Sequence, residues 1–375
     1  MGTVAPAPAA ALPLRAALRL ARRGRYRTAP NPMVGAVVLR DGEVVGQGYH
    51  RQVGGPHAEV EALRQAGEAA RGATLYVTLE PCAHQGRTPP CTDAVLRSGV
   101  SRVVACHRDP DPRVAGGGFE RLRRAGVSVE TGELLAEAVR LNWRYLVARV
   151  AGRPAVTLKW AMSLDGRIAT ASGESQWISG PGARRWALEL REEHDAVVVG
   201  SGTVLADDPR LNRRLGLAAG PGLRVVLDRR LRTPPGARLF QEEGPVLLFA
   251  EAGGAARERQ LARAGAEVVR PPRVTPAAVL AELAARGVQS VLVEGGAVVH
   301  GAFLAAGLYD RVAVACAPLL IGGATALGPV GGRGLGPLRG VPRLERPRVG
   351  RRGDDLIVTG FRTGCLPDLS ASVGG

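Results

Sequence analysis

Gly55-Pro56-His57-Ala58-Glu59, followed by Thr78-Leu79-Glu80-Pro81-Cys82 and then by Cys91, is the part of the chain on which the fold turns. Residues 57–70 put Val60, Leu63 and Ala66 on one helical face, and residues 91–98 suit a short helix. Thr74–Leu79 lies between them as a strand, and Arg102–Cys106 follows as another. His57 and Cys91 thus each open a helix, and Cys82 follows a strand.

Outward from this centre the alternation continues. Upstream, Val34–Leu39 and Val44–Tyr49 flank Asp41-Gly42, a hairpin signal, and Leu14, Leu18 and Ala21 recur at helical spacing over 12–23. Downstream, 117–125 reads as a helix, Val127–Val129 as a strand and Glu133–Val147 as one longer helix. Strands alternating with helices imply an α/β sandwich. Ala151-Gly152-Arg153-Pro154 breaks the pattern and divides a domain over 1–150 from one over 151–375. A second alternation follows. Its strands are Ala155–Ala161, Ala196–Val199, Leu223–Asp228, Pro245–Ala250, Gln289–Glu294 and Arg311–Ala315, with helices at 181–193, 255–265, 275–286 and 297–306. Most of these strands are continuous apolar runs, as strands covered on both faces require. Asp355–Phe361 closes the sheet, and the Gly/Ser-rich tail from Thr363 is expected to fray.

One histidine nitrogen and two thiolates make a zinc set, His57, Cys82 and Cys91, and three protein ligands leave a fourth position for water. Helix N-termini help to hold thiolates ionised. Glu59 points roughly 200° from His57 on an ideal helix, so both serve one centre only if the helix end itself faces the ion. That placement suits a carboxylate that handles protons: it takes one from the water and returns protons as ammonia leaves. This is the deaminase pattern H-x-E with P-C-x-x-C, except that Ala83–Pro90 separates the cysteines instead of two residues. A structural zinc is the rival and needs a fourth ligand from His84, Cys106 or His107.

The formal charge of +16 is almost all arginine; Lys159 is the sole lysine. The arginines are dispersed and aromatics make up 4% of the chain, whereas nucleic-acid surfaces cluster their charge and interleave aromatics. A coding bias explains much of the excess, and a phosphorylated small substrate suits its sign. The odd count of five cysteines in a long chain argues against a disulfide framework, so Cys106, Cys316 and Cys365 read as buried small hydrophobes or a free tail thiol. No apolar run approaches the roughly 20 residues that span a bilayer. The Arg/Ala-rich start resembles a transit peptide in composition but lacks a cleavage pattern; a short disordered leader of roughly ten residues is expected instead.

At the level of motifs the chain resembles the bifunctional riboflavin biosynthesis deaminase/reductase family over about residues 12–362. The deaminase half matches at Asn31-Pro32-Met33-Val34-Gly35-Ala36-Val37, at Gly55–Glu59, through Thr78–Cys91, and at Asp109-Pro110 and Val114-Ala115-Gly116. The reductase half matches at Thr157–Gly166, Gln176–Ser179, Gly200–Val204, Asp207-Asp208-Pro209, Val293–Gly296 and Pro318–Gly323. The resemblance implies a cytidine-deaminase-like α/β/α domain and a dihydrofolate-reductase-like α/β domain, one zinc per chain and NADPH. It also implies a cytoplasmic homo-oligomer, dimer or tetramer, acting on small phosphorylated pyrimidines and on no membrane or nucleic acid. The first half would deaminate 2,5-diamino-6-(5-phosphoribosylamino)pyrimidin-4-one; the second would reduce the ribosyl chain of the product to ribityl.

Position by position, His57, Cys82 and Cys91 are implied as metal ligands and Glu59 as the proton shuttle. Asn31, His50, His84 and Arg87 would line the first substrate pocket. In the second half Lys159 is implied as catalytic, since a compact ammonium can shift its pKa and deliver a proton. Ser175, Arg191, Leu211, Arg214 and Glu294 would face substrate, with Arg191 and Arg214 as partners for its phosphate. Ala161, Trp177, Thr203, Asp207 and the run Gly296, Ala297, Val298, Val299, His300, Gly301, Ala302 would face the cofactor, with Arg229 at the 2′-phosphate. Gly200-Ser201-Gly202 and Glu294-Gly295-Gly296 follow apolar strands, but neither is a full dinucleotide fingerprint. A nucleic-acid base deaminase with a C-terminal binding module is the alternative; it predicts a two-residue cysteine spacer and clustered basic charge.

Overall fold

The computed structural model describes residues 11–86, 88–111 and 114–370. The expected leader and Arg87 lie outside them. The chain divides into two compact units, Met1–Ala151 with Leu366–Gly375, and Gly152–Cys365.

In the first unit α1 (Ala11–Ala21) precedes the hairpin β1 (Gly35–Arg40) and β2 (Glu43–Tyr49). There follow α2 (Ala58–Ala66), β3 (Thr74–Val77), α3 (Cys91–Ser98), β4 (Arg102–Ala105), α4 (Gly117–Arg124), β5 (Ser128–Thr131), α5 (Leu135–Leu141) and α6 (Trp143–Ala151). The sheet order is β2-β1-β3-β4-β5; β1 pairs antiparallel with β2 and β3, and β3, β4 and β5 run parallel. Leu14, Leu18, Val37, Tyr76 and Val104 fill one face of the sheet, and Ala58, Ala62, Leu75, Val103 and Leu122 belong to the larger cluster. The α2 helix sits close on β2: a Cβ on Gly48 would stand 2.5 Å from the Ala58 carbonyl oxygen.

The second unit runs β6 (Ala155–Ser163), α7 (Pro181–Glu193), β7 (Ala196–Gly200), α8 (Ser201–Asp207), β8 (Leu223–Leu227), β9 (Val246–Phe249), α9 (Ala255–Arg263) and β10 (Ala266–Val269). It continues with α10 (Pro276–Ala285), β11 (Ser290–Val293), α11 (Ala297–Ala305), β12 (Arg311–Ala317), β13 (Leu344–Arg352) and β14 (Asp355–Arg362). Nine strands order as β10-β9-β8-β7-β11-β6-β12-β14-β13, all parallel except around β14, which is antiparallel to both neighbours. The inner strands are buried along their length, as their unbroken Val and Leu runs require.

Three expectations differ from the structure. The single helix over 133–147 is two, broken at Asn142, whose amide is buried and clamps Met33: Oδ1 accepts its N–H at 2.8 Å and Nδ2 donates to its carbonyl at 2.9 Å. The strands at 266–269 and 344–352 were not read; the second is rich in arginine, and its outer edge has no periodic apolar face. The tail does not simply fray as part of the second domain. Leu366 and Leu369 pack with Val139, Tyr145 and Leu146 of the first unit, because two leucines bury apolar area that the Gly/Ser composition around them does not reveal.

Candidate active sites

In the first unit the start of α2, the loop after β3 and the start of α3 converge. His57 is the residue before the first turn of α2, and Cys91 is the first residue of α3. His57 Nδ1 lies 3.0 Å from Cys91 Sγ and 3.6 Å from Cys82 Sγ, and the three ligand atoms lie within 4.8 Å of one another. Spacings of this order bring the three donor atoms within reach of a single ion. The two sulfurs are electrostatically opposed, and the Cys91 N–H also points at Cys82 Sγ, at 3.4 Å. Cys82, hydrogen-bonded to the Cys91 thiol and to His57, is pulled down to about 4, and Cys91 is pushed up. A divalent cation would hold both as thiolates.

The three proposed fourth ligands do not join the set among the described residues. Cys106 is buried among Val37, Tyr76 and Val104; His107 Nδ1 donates to the Arg108 carbonyl at 2.7 Å; His84 lines the cavity instead. Glu59 is buried, with Oε2 lacking a hydrogen-bond partner. Burial pushes its carboxyl up to about 7 against the pull of His57. An orphaned carboxylate oxygen beside an open ligand set fits a hydrolytic zinc site.

His57, Cys82 and Glu59 face a cavity of about 390 Å³ lined also by Asn31, His50, His84 and Thr88, with Cys91 buried behind them. Asn31 Nδ2 donates to His50 Nε2 at 3.2 Å, while His50 Nδ1 donates to the Pro56 carbonyl at 3.0 Å. Burial keeps His50 below its usual range, so it stays neutral in this role. Asp109, Asp111, Tyr145 and Arg149 complete the wall. The Tyr145 hydroxyl donates to both Asp109 oxygens at 2.9 and 3.1 Å, and burial pushes the Asp109 carboxyl up to about 6. Sequence reading assigned these four no role. Asp109-Pro110 was a motif signal for the first, but the α6 pair gave none.

In the second unit a cleft of about 1170 Å³ opens at the C-terminal ends of β6, β7, β8 and β11. Lys159, Ala161, Ser175, Trp177, Arg191, Thr203, Asp207, Leu211, Arg214, Arg229, Glu294, Gly296, Ala297, Val298, Val299, His300 and Ala302 all line it. Gly301 does not: it faces Gly331, whose carbonyl oxygen would lie 2.1 Å from a Cβ there, so this glycine serves helix packing. His300 lines the cleft with both ring nitrogens engaged, 3.0 Å from the Pro329 carbonyl and 3.2 Å from that of Val293.

At the cleft floor Arg191 forks onto Glu294, Nε to Oε1 at 2.7 Å and Nη2 to Oε2 at 2.8 Å, and Lys159 Nζ lies 4.0 Å from Oε2. Arg191, expected at a phosphate, is thus committed to a carboxylate, because both groups are buried and a buried charge needs a partner. Burial alone would raise the Glu294 carboxyl; Arg191 and then Lys159 outweigh it and hold it at about 2. Burial lowers the Lys159 ammonium, Glu294 opposing and Arg191 adding. Arg214 remains for an anion, joined on the lining by Arg184, Arg230, Arg232 and Arg238, none of which stood out in an arginine-rich sequence; Arg210 lines the cleft too but is paired with Glu242 at 3.3 Å. Ser175 Oγ donates to Asp207 Oδ1 at 2.8 Å, and Trp177, exposed over most of its surface, lies under the Arg184 guanidinium at 4.7 Å. The breadth of the cleft, its apolar Trp177 wall and its arginine rim fit a phosphorylated dinucleotide beside a phosphorylated substrate.

Comparison with known proteins agrees with this division. Residues 154–358 match the family described as the RibD C-terminal domain, and residues 11–107 match the zinc-binding region of cytidine and deoxycytidylate deaminases. The riboflavin biosynthesis protein RibD of Bacillus amyloliquefaciens is 43% identical over 350 residues, covering 92% of this chain and 94% of the relative. That of Escherichia coli is 43% identical over 361 residues, covering 91% and 96%. Among solved structures, Acinetobacter baumannii RibD superposes with a TM-score of 0.85 at 39% identity, covering 94% of this chain and 99% of that one. The diaminohydroxyphosphoribosylaminopyrimidine deaminase/5-amino-6-(5-phosphoribosylamino)uracil reductase of Thermotoga maritima superposes with a TM-score of 0.81 at 35% identity, covering 94% and 98%.

Proposed function

We propose a residue-level reading from one premise: this chain belongs to the RibD family. It is a bifunctional zinc-dependent deaminase and NADPH-dependent reductase of riboflavin biosynthesis. The first unit deaminates 2,5-diamino-6-(5-phosphoribosylamino)pyrimidin-4-one, and the second reduces the ribosyl side chain of the resulting uracil to ribityl.

His57, Cys82 and Cys91 hold the zinc. When bound, zinc supplies Lewis acidity that makes a water nucleophilic near neutral pH. Glu59 Oε2 takes a proton from water as its oxygen adds to the amino-bearing ring carbon and gives it to the adjacent ring nitrogen; it then passes the remaining hydroxyl proton to the exocyclic nitrogen, which leaves as ammonia as the carbonyl forms. Asn31 and His50, already hydrogen-bonded to each other, present amide and imidazole edges to the pyrimidine, with His84 beside them; Arg87 is the proposed partner for the phosphate.

NADPH, when bound, supplies the hydride for the sugar C1. Lys159 holds the proton that the ring oxygen takes as the C1–O bond opens, and Glu294, fixed by Arg191, keeps the ammonium charged and aimed. Arg214 takes the substrate phosphate, with Ser175 and Leu211 beside it. Ala161, Trp177, Thr203, Asp207 and the start of α11 face the cofactor, and Arg229 with Arg230 and Arg232 meets its 2′-phosphate. Because Gly301 packs on Gly331, it is left out of that set.

The observation that carries this reading is the meeting of three ligands with one orphaned carboxylate oxygen. A cavity of about 390 Å³ supports a small-molecule substrate over a nucleic acid. Five free cysteines support a reducing, cytoplasmic setting, and no helix of the described residues is long and apolar enough to cross a membrane. A homo-oligomer, dimer or tetramer, completes the reading. The test is a two-stage assay: ammonia release from the diaminopyrimidine, then NADPH oxidation that depends on the deaminated product. NADPH oxidation without that dependence would refute it.

A further inference from the structure

We infer that Glu80 is a positioning residue of the deaminase site, whose buried carboxylate ties Asp109 and the 114–119 segment into one fixed cavity wall. The inference rests on the deaminase reading above. Glu80 Oε2 accepts the backbone N–H groups of Asp109 and Gly116, each at 3.0 Å. Its Oε1 accepts those of Gly118 and Phe119 at 3.0 and 3.2 Å. An ionised carboxylate accepts about four donors, and here backbone amides supply them all. Apolar residues would stabilise a core equally well without burying a charge. What four converging amides add is geometry, since each fixes the main chain at a different point of the strap.

The strap is held at its flanks too. Glu80 N–H donates to the His107 carbonyl at 3.1 Å. Gly118 comes so close that a Cβ would stand 1.9 Å from the Pro81 carbonyl oxygen. The tied segment carries Asp109, Asp111 and Val114 into the cavity, and Asp109 Oδ1 accepts the Asp111 N–H at 2.9 Å. Two residues beyond Glu80 stands Cys82, so a single turn of chain supplies a metal ligand and the anchor of the wall that substrate meets.

Glu80→Gln is nearly isosteric but turns one acceptor into an NH2 group facing two N–H donors. Measured on the full chain, zinc content and NADPH oxidation with the deaminated substrate should stay at wild-type levels. The deaminase KM should rise about tenfold, with kcat per bound zinc held within about threefold. A merely structural role would lower the zinc-loaded, folded fraction and so the apparent kcat, at unchanged KM; that outcome, or wild-type kinetics, overturns the inference. If the Gln variant does not fold, Glu80→Asp is read by the same KM and kcat criteria. Amide exchange in the unsubstituted chain decides independently: the N–H groups of Asp109, Gly116, Gly118 and Phe119 should be as protected as those of β3, and fast exchange there overturns the proposal. Absence of deamination by the unsubstituted chain would overturn the deaminase reading itself, and shows before any variant is compared.

Discussion

Glu294→Gln removes one negative charge from a buried group of three and leaves two cations facing each other. The Glu294 and Arg191 side chains are 8% and 12% exposed, so little solvent screens them. Two estimates of the cost agree. A carboxyl held at about 2 instead of 4.5 contributes about 3 kcal/mol near neutral pH. Breaking a buried pair by deleting one partner typically costs about 3–5 kcal/mol. The lower figure is expected here, because the Gln carbonyl still accepts one bond from Arg191. For a unit the size of residues 152–365 that lowers Tm by roughly 10 °C. The depressed carboxyl sets the pH window of the wild-type contribution: it is fully present above the unfolded value of 4.5 and is lost as pH falls towards about 2. The variant should lack that acid limb. The chemistry moves as well. At 4.0 Å and an effective dielectric of about 20, Glu294 favours the Lys159 ammonium by up to about 4 kcal/mol. Without it Lys159 loses its proton at a lower pH, and the alkaline fall of the reductase rate moves down with it. Reductase pH–rate profiles and thermal melts of both proteins measure this. Superimposable profiles and melts would show that the three groups are not coupled.

Glu59→Ala should retain about one zinc per chain and lose deamination by at least about 10²-fold, since Glu59 lies outside the ligand trio; metal analysis beside ammonia release decides, and lost zinc would make Glu59 a ligand instead. Chelation, or Cys82→Ser, should abolish ammonia release while NADPH oxidation with the deaminated substrate continues, because the two sites sit in separate compact units. Arg153→Ala takes the guanidinium from both oxygens of Asp310, a fully buried carboxylate held at 2.7 and 2.8 Å; the Val156 N–H still donates to Oδ2, so the second unit should lose about 3 kcal/mol in a denaturant melt, with the deaminase unaffected.

The metal trio was legible because its chemistry limits the residue types: few settings place a His and a Cys at helix starts with a second Cys just after a strand, and the pattern carries its own geometry. The second-unit residues were legible as a set but not in their partnerships. Nothing in the spacing of Arg191 and Glu294 says that one closes on the other, and the link is made only when α7 and β11 are brought side by side. The same holds for Asn142, where the run over 133–147 is good helix and only the distant Met33 explains the break. Composition hid the arginines at the cleft rim, since a signal cannot rise from a background of its own kind. Gly301 failed for the opposite reason. It lay inside a segment read as one cofactor-facing run, yet a helix turns successive residues to different sides, and only packing against Gly331 shows which side is closed. Local patterns therefore report what a residue can do, while long-range pairing decides what it is free to do. Arg191 is the sharpest case: its guanidinium is equally suited to a phosphate and to a carboxylate, and burial beside Glu294 settles the choice.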